Sequence, residues 1–371
     1  MKDRFESPVY PFTAIVGQED MKTALILNVI NPRIGGVLIR GERGTAKSTV
    51  VRALARLLPP IQVVPDCPFQ CHPQDTSLMC PNCQERLQKG DELPRATRQR
   101  RVVNLPIGTT EDRLLGTIDL EAALTKGKRR FEPGLLALAN RALLYVDEVN
   151  LLSDHIVDLL LDVAAMGVNR VEREGLSFVH PSSFTLIGTM NPEEGDLRPQ
   201  LLDRFGLCVE VKGIEDVDLR SEVVRRRIAF EADPDGFISA WKDQEEELSH
   251  RIEKAKATLS RVQVPDRILK LAARFSISMD TEGHRADLTM VKTAIALSAL
   301  EDRLEVSEKD LVRAAEMAIP HRLKRQELTA TKLSTHRLHD ILEEYRQEEE
   351  VSDQTPRPAS SVLKKNKAPF G

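Results

Sequence analysis

Eight consecutive residues, Gly41-Glu42-Arg43-Gly44-Thr45-Ala46-Lys47-Ser48, constrain the fold more than any other stretch. They follow a short apolar run, Gly36-Val37-Leu38-Ile39-Arg40, and lead into Thr49 to Leu58, where apolar residues recur at helical spacing. A buried strand, a glycine loop and a helix form the setting a phosphate-binding loop requires. Gly41 and Gly44 allow a tight turn that aims backbone N–H groups inward, and the new helix's N-terminus favours an anion there. In such a loop Lys47 reaches the outer phosphates of a nucleotide and the Ser48 hydroxyl holds Mg²⁺. Ala46 stands where glycine commonly precedes the lysine. Its methyl group restricts φ without forbidding a helical entry, so the loop is expected to close.

A second landmark lies about a hundred residues on, at Leu143-Leu144-Tyr145-Val146-Asp147-Glu148. Four apolar residues ending in two acids describe a buried parallel strand that delivers carboxylates to a site. Asp147 suits a Mg²⁺ complex and Glu148 suits the activation of an attacking water, so their adjacency is chemically coherent. Phe184 to Met190 reads as a further strand tipped by Asn191, whose amide can hydrogen-bond that water or the terminal phosphate. Leu201-Leu202-Asp203-Arg204-Phe205 precedes a last strand, Leu207 to Val211. A guanidinium at Arg204 is suited to a neighbour's γ-phosphate; alternatively it makes a surface ion pair with Asp203.

The chain has 371 residues, 41% hydrophobic and 30% charged, with a net charge of −4. That size allows two cores, and the slightly acidic balance offers no broad positive field for nucleic acid. With 4% aromatic residues, stacking platforms for single strands are not evident. No apolar run approaches the roughly 20 residues needed to span a bilayer, and Met1 to Glu6 lacks an apolar signal core, so a cytoplasmic location is expected. Of five cysteines, four are clustered as Cys67, Cys71, Cys80 and Cys83. An odd count in such a chain argues against a disulfide scaffold. Cys-x3-Cys-His followed by Cys-x2-Cys is compact enough for four thiolates to meet on zinc, in a segment that Pro68, Pro73 and Pro81 keep irregular; the alternative is a loop of reduced thiols without metal, responsive to redox or inert. Cys208 reads as a core residue of a strand.

Between the landmarks, Asp119 to Leu124 reads as a short helix; beyond the second, Val168 to Val179 reads as a hairpin turning at Glu174-Gly175. After residue 213 glycine becomes scarce and charged helical runs dominate, at 216–231, 236–259, 265–278, 287–301, 307–319 and 333–349. Within them Gln244 to Glu247 reads as a solvated face, and Arg285, at the start of one helix, is placed to point back at the nucleotide. The polar, aperiodic residues 351–371 read as a disordered tail.

The order of loop, Asp-Glu strand, Asn-tipped strand, Asp-Arg-Phe helix and helical lid resembles the AAA+ ATPases. The Ala46 variant, an insert near 112–130 and the hairpin resemble their helix-2-insert branch. More closely, Val16-Gly17-Gln18-Glu19, Phe131 to Leu136, Asp154 to Asp162 and Asn191 to Gly206 are similar to the I-subunit family of magnesium chelatase. The resemblance implies an α/β fold: a P-loop NTPase core with a central parallel sheet flanked by helices over 1–213, then an all-helical lid over 214–350. The core carries the cysteine-rich loop at 66–84, the insert near 108–134 and the hairpin near 168–180. It also implies a hexameric ring of identical chains with ATP and Mg²⁺ between neighbours. Gly41 to Ser48 match the phosphate loop, Asp147 and Glu148 the acidic pair, Asn191 the first sensor, Arg204 the arginine finger and Arg285 the second sensor. The implied partners are a D subunit and a porphyrin-binding H subunit, and the implied activity is ATP-driven insertion of Mg²⁺ into protoporphyrin IX for chlorophyll synthesis. Readings left open are a MoxR-like chaperone, a helicase-like translocase with Arg170 and Arg173 lining its channel, and a scaffold that binds nucleotide without hydrolysis.

Overall fold

In the computed structural model the described residues are 8–42, 44–119, 130–173, 176–323 and 331–354. Arg43, Leu120 to Leu124, the turn at Glu174-Gly175 and the tail beyond 354 fall outside them. Five parallel strands form the central sheet: β1 (Val37–Gly41), β2 (Val102–Leu105), β3 (Leu143–Val146), β4 (Thr185–Met190) and β5 (Leu207–Val211), in the order β5-β1-β4-β3-β2. Both faces are covered, so the strands read as near-continuous apolar runs. Their side chains still alternate. Leu38, Leu144, Val146 and Leu186 enter one apolar cluster with Ile156, Leu160 and Phe205, while Val37, Ile39, Tyr145 and Ile187 enter the other with Val51 and Leu54. The second cluster continues into the helical part through Leu271, Phe275, Leu297 and Leu311.

The register aligns the strand ends. Gly41 pairs with Val211, Arg40 with Met190, and Val146 with both Gly188 and Leu105. A Cβ on Gly41 would lie 2.2 Å from the Val211 carbonyl oxygen, so only glycine fits where β1 presses on β5. Gly206 is similarly confined, 2.2 Å from the Ile34 carbonyl oxygen at the opposite end of the same strand pair.

After Val211 the chain is helical. Helices span Val217–Ala232, Pro234–Ala240, Lys242–Thr258, Asp266–Ser278, Arg285–Leu300, Glu308–Ala318 and Thr331–Gln354. The run expected over 236–259 is divided at Trp241. Asp233 caps Pro234–Ala240 through the Gly236 N–H, and Phe237 packs on Tyr10 and Phe230, with Trp241 in turn against Phe237. The last helix also takes in residues 351–354, which composition assigned to the tail. Glu245 departs from the solvated face expected of its run. Its carboxylate accepts from the Thr13 N–H (2.7 Å) and hydroxyl (2.8 Å), and burial pushes its pKa up.

Two further expectations are revised. Asp119 ends a strand, Gly116–Asp119, which pairs antiparallel with Arg130–Pro133. The cysteine segment is less irregular than its prolines suggest, because Pro81 opens the helix Pro81–Gln88, where its missing N–H costs nothing. No helix among the described residues is long and apolar enough to cross a membrane.

The lid docks on the amino-terminal edge of the sheet. Lys292 Nζ donates to the Arg33 carbonyl (3.0 Å). The Arg322 side chain, 2% exposed, donates to the carbonyls of Asp203, Phe205 and Gly206 at 3.0, 2.7 and 3.1 Å, and burial lowers its pKa to about 10. His321 Nε2 donates to the Phe205 carbonyl (3.0 Å), and Nδ1 is buried without a partner. Burial, with Arg322 and Arg40 close by, holds His321 well below its ordinary pKa and therefore neutral. In the unfolded chain it titrates near 6.5, so below about that pH the unfolded state binds a proton the folded state refuses. Stability is expected to fall with pH by up to about 1.4 kcal/mol per unit there. Urea midpoints compared between about pH 7.5 and about pH 5.5 should show a steeper loss for the native chain than for His321→Gln. Equal slopes would contradict the assignment.

Candidate active site

The phosphate loop joins the carboxyl end of β1 to the helix Lys47–Leu57. Gly44 has φ +79° and Ala46 has φ +61°, ψ +17°. Ala46 is thus left-handed and carries strain of about 1–2 kcal/mol that glycine would not. The strain lies in the segment that aims the loop's N–H groups, where such outliers concentrate. Lys47 Nζ lies back across the loop and donates to the carbonyls of Gly41 (2.5 Å) and Glu42 (2.9 Å), while the Thr45 hydroxyl donates to Glu42 (2.9 Å). Burial lowers the Lys47 pKa, and the charges of Asp147, Glu148, Glu194 and Glu42 oppose that shift. Ser48 stands in the helix's first turn.

The acids arrive from β3, two strands over. Asp147 Oδ1 accepts from the Tyr145 hydroxyl (2.8 Å) and the Thr189 hydroxyl (2.6 Å). Thr189 Oγ1 in turn accepts the Glu148 N–H (3.0 Å). Glu148 has φ +53°, a second left-handed residue at the site, held there by that bond. Asn191 follows β4, between the loop and the acids. It is buried, and its Oδ1 accepts from the Glu193 N–H (3.3 Å). Beside the loop lies a cavity of about 410 Å³, lined by Tyr10, Ile15, Val16, Ile214, Val223 and Val224 among others, an apolar slot suited to a base.

Lys47, Ser48, Asp147, Glu148 and Asn191 therefore share the carboxyl edge of one sheet, where ligands bind in open α/β folds. Arg204 and Arg285 do not. Arg204 lies shortly before β5, at the amino edge, where it pairs with Asp158 (2.5 Å) and Asp162 of the helix Asp154–Met166. Arg285 pairs with Asp203 beside it, so it does not point back at its own chain's loop as expected. The length of β1, about 13 Å at about 3.3 Å per residue, separates these guanidinium groups from the loop. Asp203 serves the lid through Arg285 and Arg322, leaving Arg204 to other acids.

Sequence reasoning passed over Thr189 and Tyr145. A hydroxyl on the residue before the last of the strand, directly after the apolar Leu186-Ile187-Gly188, was the available signal for Thr189. It orients both acids at once, so Thr189→Val should reduce ATP turnover roughly ten- to a hundredfold, the loss of about 1.5–3 kcal/mol for a hydrogen bond to a charged group. Steady-state phosphate release at saturating ATP measures this, and an unchanged rate would contradict it.

The phosphate loop, paired acids, Asn-tipped neighbouring strand and helical lid define a AAA+ ATPase. The description "AAA domain (dynein-related subfamily)" fits residues 88–205, and "AAA lid domain" fits 269–355. The chain is 51% identical to the magnesium-chelatase subunit ChlI homolog of Methanocaldococcus jannaschii, over 92% of each chain. It is 53% identical to the magnesium-chelatase 38 kDa subunit of Acidiphilium rubrum, over 86% of this chain and 92% of that one. The chain belongs to the ChlI family of magnesium-chelatase subunits. A solved complex of magnesium-chelatase subunits BchI and BchD contains a chain 49% identical, covering 86% of this chain and 97% of that one, with a TM-score of 0.51. A crystal structure of a Cytophaga hutchinsonii protein, 17% identical with a TM-score of 0.56 over 89% of this chain and 90% of that one, shares the fold.

Proposed function

We propose that this chain is the ring-forming ATPase that drives insertion of Mg²⁺ into protoporphyrin IX, acting with a D-type and a porphyrin-binding H-type subunit. The observation that carries the reading is the division of charge between the two edges of the sheet. A nucleotide at the carboxyl edge meets Lys47 but no arginine of its own chain from the set Arg204 and Arg285. Head-to-tail packing of identical chains brings one chain's amino edge to the next one's loop, and such packing closes into rings. Six chains is the number the family resemblance implies. Exposed apolar side chains support an interface: Leu288 lies one turn from Arg285 on the same helix face, and Ile277 is 81% exposed.

Within that assembly each residue has a role set by its place. Backbone N–H groups at the start of the helix Lys47–Leu57 cradle phosphate oxygens, and Lys47 exchanges its loop carbonyls for them. Ser48 and Asp147 are the hydroxyl and carboxylate suited to hold Mg²⁺, which when bound offsets charge between the outer phosphates. Glu148, fixed by Thr189, takes the proton of the attacking water, and Asn191 orients that water. Arg204 of the neighbour, released from Asp158 and Asp162 by the stronger charge of the triphosphate, stabilises the charge that develops. The substrate ion is distinct from the nucleotide's ion. Mg²⁺ surrenders its water reluctantly, which is why its insertion calls for an energy source.

The test is reconstitution. The purified chain with D-type and H-type subunits, protoporphyrin IX, Mg²⁺ and ATP should give the absorption of the Mg-porphyrin. Glu148→Gln should still bind ATP but lower both hydrolysis and metallation at least a hundredfold, the scale of general-base catalysis. Full ATPase without any metallated product would assign the motor to a different client. Normal turnover by Glu148→Gln would remove Glu148 from its role.

A further inference from the structure

The nucleotide chemistry uses none of the four clustered cysteines. Cys67, Cys71, Cys80 and Cys83 are all buried and reduced, and their four Sγ atoms lie within 4.8 Å of one another. Sγ of Cys67 stands 3.4 Å from that of Cys71 and 3.8 Å from that of Cys80. Tetrahedral zinc with bonds of about 2.3 Å requires sulfurs about 3.8 Å apart. Core packing alone gives four thiols no reason to aim at a common point, because an apolar residue gains by burial in any direction.

The backbone is arranged to the same end. A turn closed by the Cys67 N–H to Val64 carbonyl bond (3.1 Å) and the Val64 N–H to Cys71 carbonyl bond (2.9 Å) presents the first pair. Cys80 caps the helix Pro81–Gln88 and Cys83 lies in its first turn, so the helix's positive end faces the sulfurs. The Cys80 N–H donates to Cys71 Sγ (3.0 Å), which ties the second pair of cysteines to the first. His72 is turned away, its Nδ1 accepting from the N–H groups of Gln74 (3.1 Å) and Asp75 (2.9 Å). The ligand set is thus four sulfurs with no open position, the form of a structural site.

We propose that Cys67, Cys71, Cys80 and Cys83 bind one zinc ion, which fixes the base of the two hairpins that leave the core. Between the first two ligands lie Phe69 and Gln70. Phe69 stacks on Phe131 (6.2 Å), Phe178 (6.0 Å) and His180 (4.6 Å), which belong to the strands Arg130–Pro133 and Leu176–Pro181. Gln70 Nε2 donates to the carbonyls of Leu138 (2.7 Å) and Asn140 (2.8 Å), and Asn140 Nδ2 returns a bond to Phe69 (2.6 Å). Locking the sulfurs therefore locks the aromatic stack on which both hairpins rest.

The full chain, purified under reducing conditions without chelator, is analysed for metals by plasma mass spectrometry and for thiols by mercurial titration. One zinc per chain is expected, released as four thiols react, with Cys208→Ser unaffected and Cys80→Ser or Cys83→Ser losing the ion. Cobalt exchanged into the native chain should show the intense visible bands of a tetrahedral tetrathiolate, a readout that does not depend on the variants folding. Zinc removal should raise amide exchange at least tenfold in 64–93 and 176–181 while leaving Lys47–Leu57 unchanged. Iron in place of zinc, a mass two hydrogens short for a disulfide, or four thiols that react without releasing metal would overturn the proposal.

Discussion

The position of β1 governs the rest of the molecule. It lies between β4 and β5 with Gly41 pressed against the Val211 carbonyl at one end and Gly206 against Ile34 at the other. This registration makes the two edges of the sheet chemically different. One edge gathers N–H groups, Lys47, two carboxylates and an amide, while the other gathers Arg204, Arg285 and Arg322 around Asp203 and the helix Asp154–Met166. A strand slipped by one residue would exchange its buried faces and misplace both ends at once. The two edges thus differ in kind: an anion-binding set at one and a cluster of guanidinium groups paired with carboxylates at the other.

The lid reinforces that polarity. It is docked behind the sheet through Arg322, His321 and Lys292, while Val217–Ala232 lines the cavity beside the loop. Movement of the lid is then felt at the amino edge, through Arg322 and Lys292, as directly as beside the phosphate loop. In the ring proposed above, that coupling is the route by which hydrolysis in one chain would reach the next.

Much of this was legible in the sequence. The loop, the acidic strand, Asn191 and the order of lid helices follow from local signals: glycines at a turn, acids ending an apolar run, and helical periodicity. What escaped depends on long-range partners. Thr189 looked like one more β-branched strand residue until its neighbour across the sheet was Asp147. Glu245 lay in a run of acids, and nothing local distinguishes it until Thr13, 232 residues away, supplies two donors. Arg285 begins a helix whose direction in space the sequence leaves open, and so its partner was misjudged. The left-handed Ala46 defied its own residue type, because the loop's geometry overrides propensity at a strained functional position.

The central claim, that each nucleotide is completed by an arginine from the next chain, is tested most directly by mixing two defective variants. Lys47→Ala lacks a working loop but keeps Arg204; Arg204→Ala keeps the loop but lacks the guanidinium. Each alone should form assemblies with turnover reduced by roughly a thousandfold or more, the scale of an arginine finger or a loop lysine. Mixed in equal amounts, they should regain up to about a quarter of native turnover, since random neighbours restore that share of complete sites. A mixture no more active than its components, with Arg204→Ala alone hydrolysing ATP at the native rate, would contradict the account.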